Sequence, residues 1–430
     1  MSVSVAWLGI LTRSMERWVG LLDCNNFFVS CERLFRPDLR HTPVVVLSSN
    51  DGCVVARSKE IKDKGIPMGV PYFQIKDTLK DIGATTFSSH FALYRDVSRR
   101  VFEVMRAELD YIEQYSIDEA FFTISGNETE VRERLVSLKD RVEREVGVPV
   151  SVAAAASKTL AKYASSVAKR TGGIHLMTTS TWLDISKSVP LIELWGVAYR
   201  SSKQYGEKGI HTAGELMTLS RSQVEQHFGV HGVRLFMELS GQPAVSVNRS
   251  LLNQKSILSS RSFEKTTTDK EVVKDAVAYH VRHAAEDLRA MSKKAAFLQV
   301  SITPSRHGDY VLQGGSKAVQ LLNTNDSFVL LKAASQLVDE LFQPGVPYKK
   351  AGVLLTNFTP EAEEQGTLFG DGEDKHTAAL MPIIDSLNHR SGREVVLLGG
   401  RLKIEKWQAS SRIKSPAYTT DWKSLRVVKA

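Results

Sequence analysis

The chain has 430 residues, of which 42% are hydrophobic and 24% charged, a balance typical of a soluble globular protein with two to four domains. Its net charge of +8 favours a polyanionic partner, although ribosomal and membrane-surface proteins carry a similar excess. Three cysteines without a CxxC pair argue against a secreted disulfide framework, and no segment has the roughly 18 apolar residues that span a bilayer. The composition therefore predicts a cytoplasmic protein.

Two predicted strands carry acidic residues. Trp18 to Leu22 is a short apolar run that ends in Asp23, and a later strand, Ile112 to Ile124, is interrupted by Asp118 and Glu119. Neighbours in a regular strand point to opposite faces, so these two reach one site only at a strand end, turn or bulge. Three such carboxylates can hold two divalent metal ions, whereas His and Cys would select zinc.

A solvated surface turn is the common fate of an Asp-Glu pair. The apolar residues on both sides of Asp118 and Glu119 argue against it, because burying two carboxylates costs free energy unless a metal ion or hydrogen bonds compensate. We therefore keep both residues as candidate metal ligands.

Strands and helices alternate through this region. Phe91 to Leu109 has an amphipathic pattern, and apolar residues recur at helical spacing over 131–146 until Gly147 stops the helix. A strand from Val150 to Ala156 leads into a helix for which Ser157 is a suitable N-cap. The alternation predicts an α+β fold.

The second half of the chain changes pattern twice. Residues 177–243 are predicted to be mostly helical, and residues 244–254 to form a polar linker. Residues 255–355 then follow the order β-α-β-β-α-β, a small ferredoxin-like arrangement. They hold fourteen Lys or Arg against ten Asp or Glu, which fits contact with a polyanion or a solvated helix face. The elements are predicted as a strand from Lys255, a helix Lys270 to Met291, a strand Ala295 to Thr303, strands around Tyr310 and Val319, a helix Asp326 to Leu341 and a strand Tyr348 to Leu355.

The tail, residues 356–430, has an acidic start and a basic end, with eight basic and two acidic residues in 401–430. The pentapeptide Gln365 to Phe369 stands among the acidic residues. Apolar Leu368 and Phe369 in such a segment indicate a docking peptide or a local core contact.

Four groups of residues, in this order along the chain, resemble the motifs of Y-family translesion DNA polymerases. They are Asp23-x-Asn25-x-Phe27-Phe28, Ser116-Ile117-Asp118-Glu119-Ala120-Phe121, Ser157-Lys158-Thr159-Leu160-Ala161-Lys162 and Ala168-Lys169-Arg170-Thr171-Gly172-Gly173. Three more resemble the catalytic subunits of bacterial DNA polymerase V, the UmuC and MucB type. These are Cys31-Glu32-x-x-Phe35-Arg36-Pro37-Asp38-Leu39, Asn50-Asp51-Gly52-Cys53 and Ser415-Pro416-Ala417-Tyr418-Thr419-Thr420.

The resemblance implies a multidomain right-hand polymerase. Turns at Leu194–Ala198 and Lys208–Thr212 would then grip the DNA backbone, although a plain helical bundle explains them as well. The predicted regions are an N-terminal extension (1–14), palm (15–26 and 86–176), small fingers (27–85), helical thumb (177–243), linker (244–254), little finger (255–355) and a C-terminal clamp- and partner-binding region (356–430).

The resemblance also implies the roles of the site residues. Asp23, Asp118, Glu119 and the Cys24 backbone carbonyl would hold two Mg²⁺ ions, for activation of the primer 3′ hydroxyl and binding of the triphosphate. Phe28 aligns with the steric gate that excludes ribonucleotides, although a Phe beside another Phe is commonly a core residue.

The triphosphate site departs from the wider family. Lys169 matches the family lysine, but Lys59 and Lys62 stand where Tyr and Arg are usual, and lysine lacks the bidentate fork of arginine. Arg57 is a further candidate. Asn25 replaces a second Asp, so metal binding is expected to rest on three carboxylates.

The partners follow from the same resemblance. Gln365, Leu368 and Phe369 resemble the peptide by which polymerases dock on the sliding clamp. Primer–template DNA, dNTP, a dimeric UmuD′-like accessory subunit and a RecA-type recombinase filament are also implied, in error-prone synthesis during the SOS DNA damage response.

Two other functions are compatible with parts of this pattern. One is another two-metal palm enzyme, such as a nucleotidyl cyclase or a nuclease, which would predict neither the little-finger pattern nor the clamp peptide. The other is a non-catalytic, clamp-recruited DNA-binding scaffold, which the intact carboxylates argue against.

Overall fold

The computed structural model describes residues 17–248, 254–305, 315–361, 375–391, 394–399, 407 and 411–424. These form two compact units. The first unit falls within Met1–Ser48, Gly52–Leu251 and Ile413–Ala430, and the second within Ser49–Asp51 and Leu252–Arg412. None of the helices in the described ranges is long and apolar enough to cross a membrane.

The strands of the described residues follow the chain in this order: β1 (Arg17–Cys24), β2 (Val44–Leu47), β3 (Val54–Arg57), β4 (Thr85–Ser88), β5 (Ile112–Gln114), β6 (Glu119–Ser125), β7 (Val150–Ala155), β8 (Ile174–Leu176), β9 (Ser256–Thr267), β10 (Lys293–Pro304), β11 (Gly315–Thr324) and β12 (Tyr348–Pro360).

The helices of the same residues are α1 (Phe27–Phe35), α2 (Lys59–Asp63), α3 (Tyr72–Asp81), α4 (Phe91–Glu108), α5 (Glu128–Val146), α6 (Lys158–Ala168), α7 (Thr179–Ser186), α8 (Tyr199–Gly206), α9 (Ala213–Met217), α10 (Arg221–Leu239), α11 (Lys270–Ala290), α12 (Ser327–Leu341) and α13 (Lys375–Ser391). Short 3₁₀ turns occur at Pro37–Leu39, Leu191–Glu193 and Trp422–Ser424.

The main sheet of the first unit has the strand order β5-β6-β1-β7-β8. Its central strand β1 is buried on both faces, which explains its continuous apolar run. Leu22 faces the core that α4 and α5 cover, and Leu21 faces the core that contains α6. The end of this strand therefore emerges between two packed layers, where Asp23 begins the polar region.

The single strand expected over Ile112 to Ile124 is wrong, because the segment is a hairpin of β5 and β6. The backbone N–H groups of Tyr115 and Ser116 both donate to the Glu119 carbonyl and close a turn. Asp118 lies in that turn and Glu119 begins β6. This satisfies the requirement that both residues leave the regular strand alternation.

The predicted ends of the neighbouring elements are confirmed. Gly147 ends α5 in the left-handed conformation, at φ 81°, which glycine adopts without steric cost. The Ser157 hydroxyl accepts a hydrogen bond from the Leu160 N–H and caps α6. Residues 177–243 are mostly helical as expected, with a break inside α10 at Gly229.

A smaller sheet in the first unit has the order β3-β2-β4, with β4 parallel to β2 at one edge. Apolar residues of β2 and β3 pack with α2 and α3 into a separate small core. This sheet occupies the region in which the small fingers are predicted.

The second unit has the predicted order β-α-β-β-α-β, with the strand positions β11-β10-β12-β9 in one antiparallel sheet. Helices α11 and α12 pack on one face of the sheet. The strand expected around Tyr310 lies outside the described residues, and β12 runs on to Pro360. Helix α13 is fixed to this unit by Asp385, which accepts two hydrogen bonds from Arg289.

Candidate active site

The three predicted carboxylates converge where β1 meets the β5–β6 turn. Asp23 in β1 is paired with Glu119 in β6. The next residue, Cys24, donates its backbone N–H to the Asp118 carbonyl at 2.9 Å. The Ser116 hydroxyl donates to Asp118 Oδ1 at 2.6 Å and orients that carboxylate. Two antiparallel strands and one turn thus bring residues from distant parts of the sequence to one place.

Lysines of α6 and the residue after it neutralise this acidic region. Lys162 Nζ lies 2.5 Å from Glu119 Oε2, and Lys169 Nζ lies 2.8 Å from Asp23 Oδ1. One turn before Lys162, Lys158 Nζ lies 2.7 Å from Glu113. Spacings of four and eleven residues fall on one helical face, so α6 and the residue that follows it present three ammonium groups to three carboxylates.

The pKa of Asp23 reflects this crowding of charge. Burial raises its pKa from the ordinary 3.8 to about 6, against the attraction and hydrogen bond of Lys169. Repulsion by Asp118 and Glu119 raises it further. Ionised carboxylates in this position need cations, and nearby lysines supply part of that charge.

The donor set fits hard divalent cations, because it consists of carboxylate oxygens on adjoining backbone segments. Among the described residues, no three or more His, Cys, Asp and Glu side chains are already arranged to hold an ion. Glu119 and Asp23 are instead held by lysine ammonium groups, which stand where a metal cation would neutralise them. A metal ion bound here would compete with these lysines for the charge of Glu119 and Asp23.

Cys24 is suited to ligation through its backbone only. Its thiol is buried, and burial, with repulsion from Asp118 and Asp23, raises the thiol pKa well above 9.0. A protonated thiol is a poor metal ligand. Asn25 likewise points elsewhere, since its Oδ1 accepts a hydrogen bond from Ser151 Oγ at 2.9 Å. The candidate side-chain ligands are therefore the carboxylates of Asp23, Asp118 and Glu119.

Phe28 lies at the start of α1 and is only partly buried. Its ring stacks on Tyr94 of α4, with centroids 4.5 Å apart and planes 13° apart. Phe91 meets it edge-on at 5.7 Å. The Tyr94 hydroxyl donates to Oε1 of the buried Glu32 at 2.7 Å. Phe28 thus has one face supported by aromatic rings and is not enclosed in the core.

The basic residues predicted to bind the triphosphate have different surroundings. Burial lowers the pKa of Lys62, and repulsion by Arg57 and Lys169 adds to this while Asp23 opposes it. Lys62 therefore interacts electrostatically with Arg57, Lys169 and Asp23. Lys62 donates to Asn26 Oδ1 and Arg57 to the Ile66 carbonyl. Lys59 is exposed at the first position of α2.

Sequence reasoning missed the role of Lys162, although its motif was recognised. The signal was its helical spacing from Lys158 and Lys169. It also missed Tyr115 and Trp195: the indole N–H of Trp195 donates to the Tyr115 hydroxyl at 3.1 Å, and Lys162 Nζ lies 4.8 Å from the Tyr115 ring centre. No local pattern predicts that contact. Gln365, Leu368 and Phe369 lie outside the described residues.

Models of known families match most of the chain. The impB/mucB/samB family matches residues 22–166, and its C-terminal domain matches residues 254–368. A domain of unknown function, DUF4113, matches residues 378–428. The first two matches cover the carboxylate site and the second unit's sheet.

Individual proteins are similar to this chain over nearly its whole length. Protein UmuC of Salmonella typhimurium is 35% identical over 419 residues, covering 95% of this chain and 99% of UmuC. DNA polymerase IV 1 of Bacillus subtilis is 25% identical over 411 residues, 93% of this chain and 96% of that protein. A solved Y-family DNA polymerase chimera based on Dbh superposes with a TM-score of 0.68 at 19% identity, over 80% of this chain and 99% of the chimera. That likeness shows a common fold.

Proposed function

Because the chain belongs to the impB/mucB/samB family and is a translesion DNA polymerase of the Y-family, we propose that the junction of β1 and the β5–β6 turn is its polymerase active site. The observation that supports this most strongly is the convergence of Asp23, Asp118 and Glu119 beside Lys169. Nucleotidyl transfer needs anionic oxygens for metal ions and a cation for the triphosphate in one place.

The carboxylates would hold two Mg²⁺ ions, with the Cys24 carbonyl as a further ligand. Bound there, the ions would supply the charge that activates a primer hydroxyl and neutralises the leaving pyrophosphate. Ser116 would keep Asp118 oriented through its hydrogen bond of 2.6 Å. Lys162 would hold Glu119 in place in the absence of metal.

Incoming dNTP would bind between Phe28 and the basic residues. Lys169 carries the strongest support, because its ammonium group already lies 2.8 Å from Asp23. Arg57 and Lys62 would add positive charge, and exposed Lys59 the least. The Phe28 ring, supported on Tyr94, would lie under the sugar and exclude a 2′ hydroxyl.

Primer–template DNA would be held by the two predicted thumb turns and by the second unit. Gly196 and Gly209 adopt left-handed conformations in these turns, with open space around their Cα atoms, so backbone amides there can approach a phosphate. The open face of the second unit's sheet would lie along the duplex.

Partners would extend this activity in the cell. We propose docking on the sliding clamp through Gln365, Leu368 and Phe369, and assembly with a dimeric UmuD′-like subunit and a RecA-type filament. The SOS setting follows from the likeness to UmuC. Cys24, Cys31 and Cys53 are free thiols, which fits action in the reducing cytoplasm.

Primer extension tests the assignment of the site. Full-length protein should extend a primer in Mg²⁺ opposite the templated base, and Asp118→Ala should abolish extension while leaving the circular dichroism spectrum unchanged. Asp110→Asn, an exposed carboxylate change in the same region, serves as the matched control and should retain activity.

Three results would contradict the proposal. Asp118→Ala with normal activity would place the metal site elsewhere. Nuclease or cyclase activity without extension would indicate a different two-metal enzyme. Tight DNA binding without any incorporation would indicate a scaffold.

A further inference from the structure

Residues 413–424, in the last described segment of the chain, belong to the first unit and pack against the rest of it. Ser88, the final residue of β4, donates its backbone N–H to the Ile413 carbonyl at 3.1 Å. The Ile413 N–H donates in turn to the Ser88 hydroxyl at 3.1 Å, and Lys414 forms a parallel β-bridge with Ser88. The segment thereby adds a β-bridge at the β4 edge of the small sheet. We call residues 413–424 the tail strap.

Ser415 joins the tail strap to the start of α4. Its hydroxyl lies 3.1 Å from Nδ1 of His90, the residue that precedes α4, and both side chains are buried. Tyr418 joins it to the end of α1, since its ring stacks on Phe35 with centroids 4.7 Å apart and planes 11° apart. Tyr418 is itself 7% exposed and belongs to the main core of the unit.

These two helices form the wall that supports Phe28. Helix α1 carries Phe28 and Glu32, whereas α4 carries Tyr94 and Phe91. The Tyr94 hydroxyl bonds to Glu32 across the helices, and the Tyr94 ring lies against Phe28. Residue His90 is one turn before Tyr94, and Phe35 is about one turn after Glu32. The tail strap therefore contacts both helices next to the residues that join them.

Phe28 needs such support because its side chain is only partly buried. A ring that discriminates by shape works only while its position is held within a fraction of an ångström, and a shift of about 1 Å costs catalysis steeply. The spacing of α1 and α4 sets that position. A contact that spans both helices would limit changes in the spacing.

We infer that Ser415 and Tyr418 are positioning residues of the nucleotide pocket: they tie α1 to α4 and so hold Tyr94 against Phe28 for sugar discrimination. The inference rests on the proposed role of Phe28 as the gate. It gives a specific task to part of the segment that matches a domain of unknown function.

Single-nucleotide incorporation by the full-length chain tests it. The ratio of kcat/KM for dNTP to kcat/KM for rNTP should fall about five- to tenfold in Tyr418→Ala and in Ser415→Ala, because the gate ring loses its fixed position. Tyr418→Phe keeps the stacked ring and should keep the ratio within about twofold of wild type. Trp422→Ala, at a residue 87% exposed in the same strap, is the matched control and should also keep it.

A double-mutant cycle separates positioning from general loss of stability. Phe28→Ala should remove most of the discrimination, and Tyr418→Ala should cause no further loss in that background. Ser415→Ala removes a single hydroxyl and is the test variant if Tyr418→Ala does not fold.

The possible failures are distinguishable. If Phe28→Ala leaves the ratio unchanged, the gate assignment is wrong, and the inference falls with it. If Phe28→Ala lowers the ratio but Ser415→Ala and Tyr418→Ala do not, the gate assignment stands and the tail strap has no positioning role. Additive losses in the cycle would also overturn the inference.

Discussion

Carboxylates at two places in the first unit are held by different kinds of partner. At the end of β1, Asp23 and Glu119 are held by the ammonium groups of Lys169 and Lys162. Between α1 and α4, Glu32 is fully buried and is held by hydroxyl groups, among them that of Tyr94. Burial raises the pKa of Glu32, which the hydroxyls of Tyr94 and Ser415 partly oppose.

The carboxylates at the end of β1 can therefore exchange their partners, whereas Glu32 cannot. Lysine ammonium groups on flexible stems can move aside when a metal ion or a phosphate brings its own charge. Exchanging the hydroxyl partner of Glu32 would leave a buried polar group unsatisfied, which costs more than the hydrogen bond contributes. The first arrangement suits catalysis, and the second suits a rigid wall.

The largest effect on activity is expected when a carboxylate is removed from the site at the end of β1, where lysines hold Asp23 and Glu119. Glu119→Gln should lower kcat for incorporation about a thousandfold, because loss of one anionic metal ligand costs several kcal/mol of transition-state stabilisation. Pre-steady-state incorporation at saturating Mg²⁺ and dNTP measures this change.

Glu113→Gln is the matched control for that loss, since Glu113 is also paired with a lysine of α6, Lys158. Lys158 is buried, so this change should lower the free energy of unfolding by about 3 kcal/mol while kcat stays within a few-fold. Equal losses of kcat in both variants would mean that the ion pairs of α6 act only through the fold.

Removing the carboxylate of the rigid wall should act mainly on stability. Glu32→Ala should lower the free energy of unfolding by about 2–4 kcal/mol, because it leaves a cavity and an unpaired Tyr94 hydroxyl. Glu32→Gln keeps an acceptor for Tyr94 and should cost about 1 kcal/mol or less. Urea denaturation of both variants gives the comparison. A Gln variant as unstable as the Ala variant would show that the charge of Glu32, rather than its hydrogen bond, stabilises the wall.

Removing a lysine that is paired with a site carboxylate should change the affinity of the protein for metal ions. Lys162→Met should strengthen Mn²⁺ binding about three- to tenfold, because the ion no longer competes with an ammonium group for Glu119. Isothermal titration calorimetry without DNA or nucleotide measures this directly. Lys158→Met lies on the same helical face but faces Glu113, so it should leave the affinity unchanged. Weaker Mn²⁺ binding in Lys162→Met would mean that the lysine orients Glu119 for the metal.

The carboxylate site was predictable because its residues lie at the ends of apolar runs. The position of the turn between Ile112 and Ile124 was not. Asp118 and Glu119 interrupt the run, but it contains no Gly, Pro or Asn, and the β-branched and aromatic residues on both sides favour a strand. The lysine face of α6 could have been read from spacing alone. Its partners depend on how two strands and a helix pack, which no local pattern records.

The tail strap shows more clearly what cannot be predicted from the sequence. Its contact between His90 and Ser415 joins residues 325 positions apart, and the strap has neither helical nor strand periodicity. The motif that begins at Ser415 was recognised by resemblance, yet nothing in it indicates α1 or α4 as its partners. Isolated long-range contacts of single side chains become apparent only in the folded structure.

The smallest effect is expected from acidification, which should lower the free energy of unfolding through His90, the residue that precedes α4. Burial lowers the pKa of His90 from 6.5 to about 4, and the nearby charge of Lys414 contributes. Between these two values the unfolded chain binds a proton that the folded chain does not, so stability falls as pH falls from about 6.5 and levels off below about 4. His90→Gln removes the titrating group and should flatten this dependence by about 1 kcal/mol or less, once solvent screening is allowed for. Urea denaturation of wild type and variant from pH 7 to pH 4 measures the difference, in which the contributions of Glu32 and Asp23 cancel if both proteins share them. Parallel profiles would show that His90 titrates normally and that its contact with Ser415 is open to water.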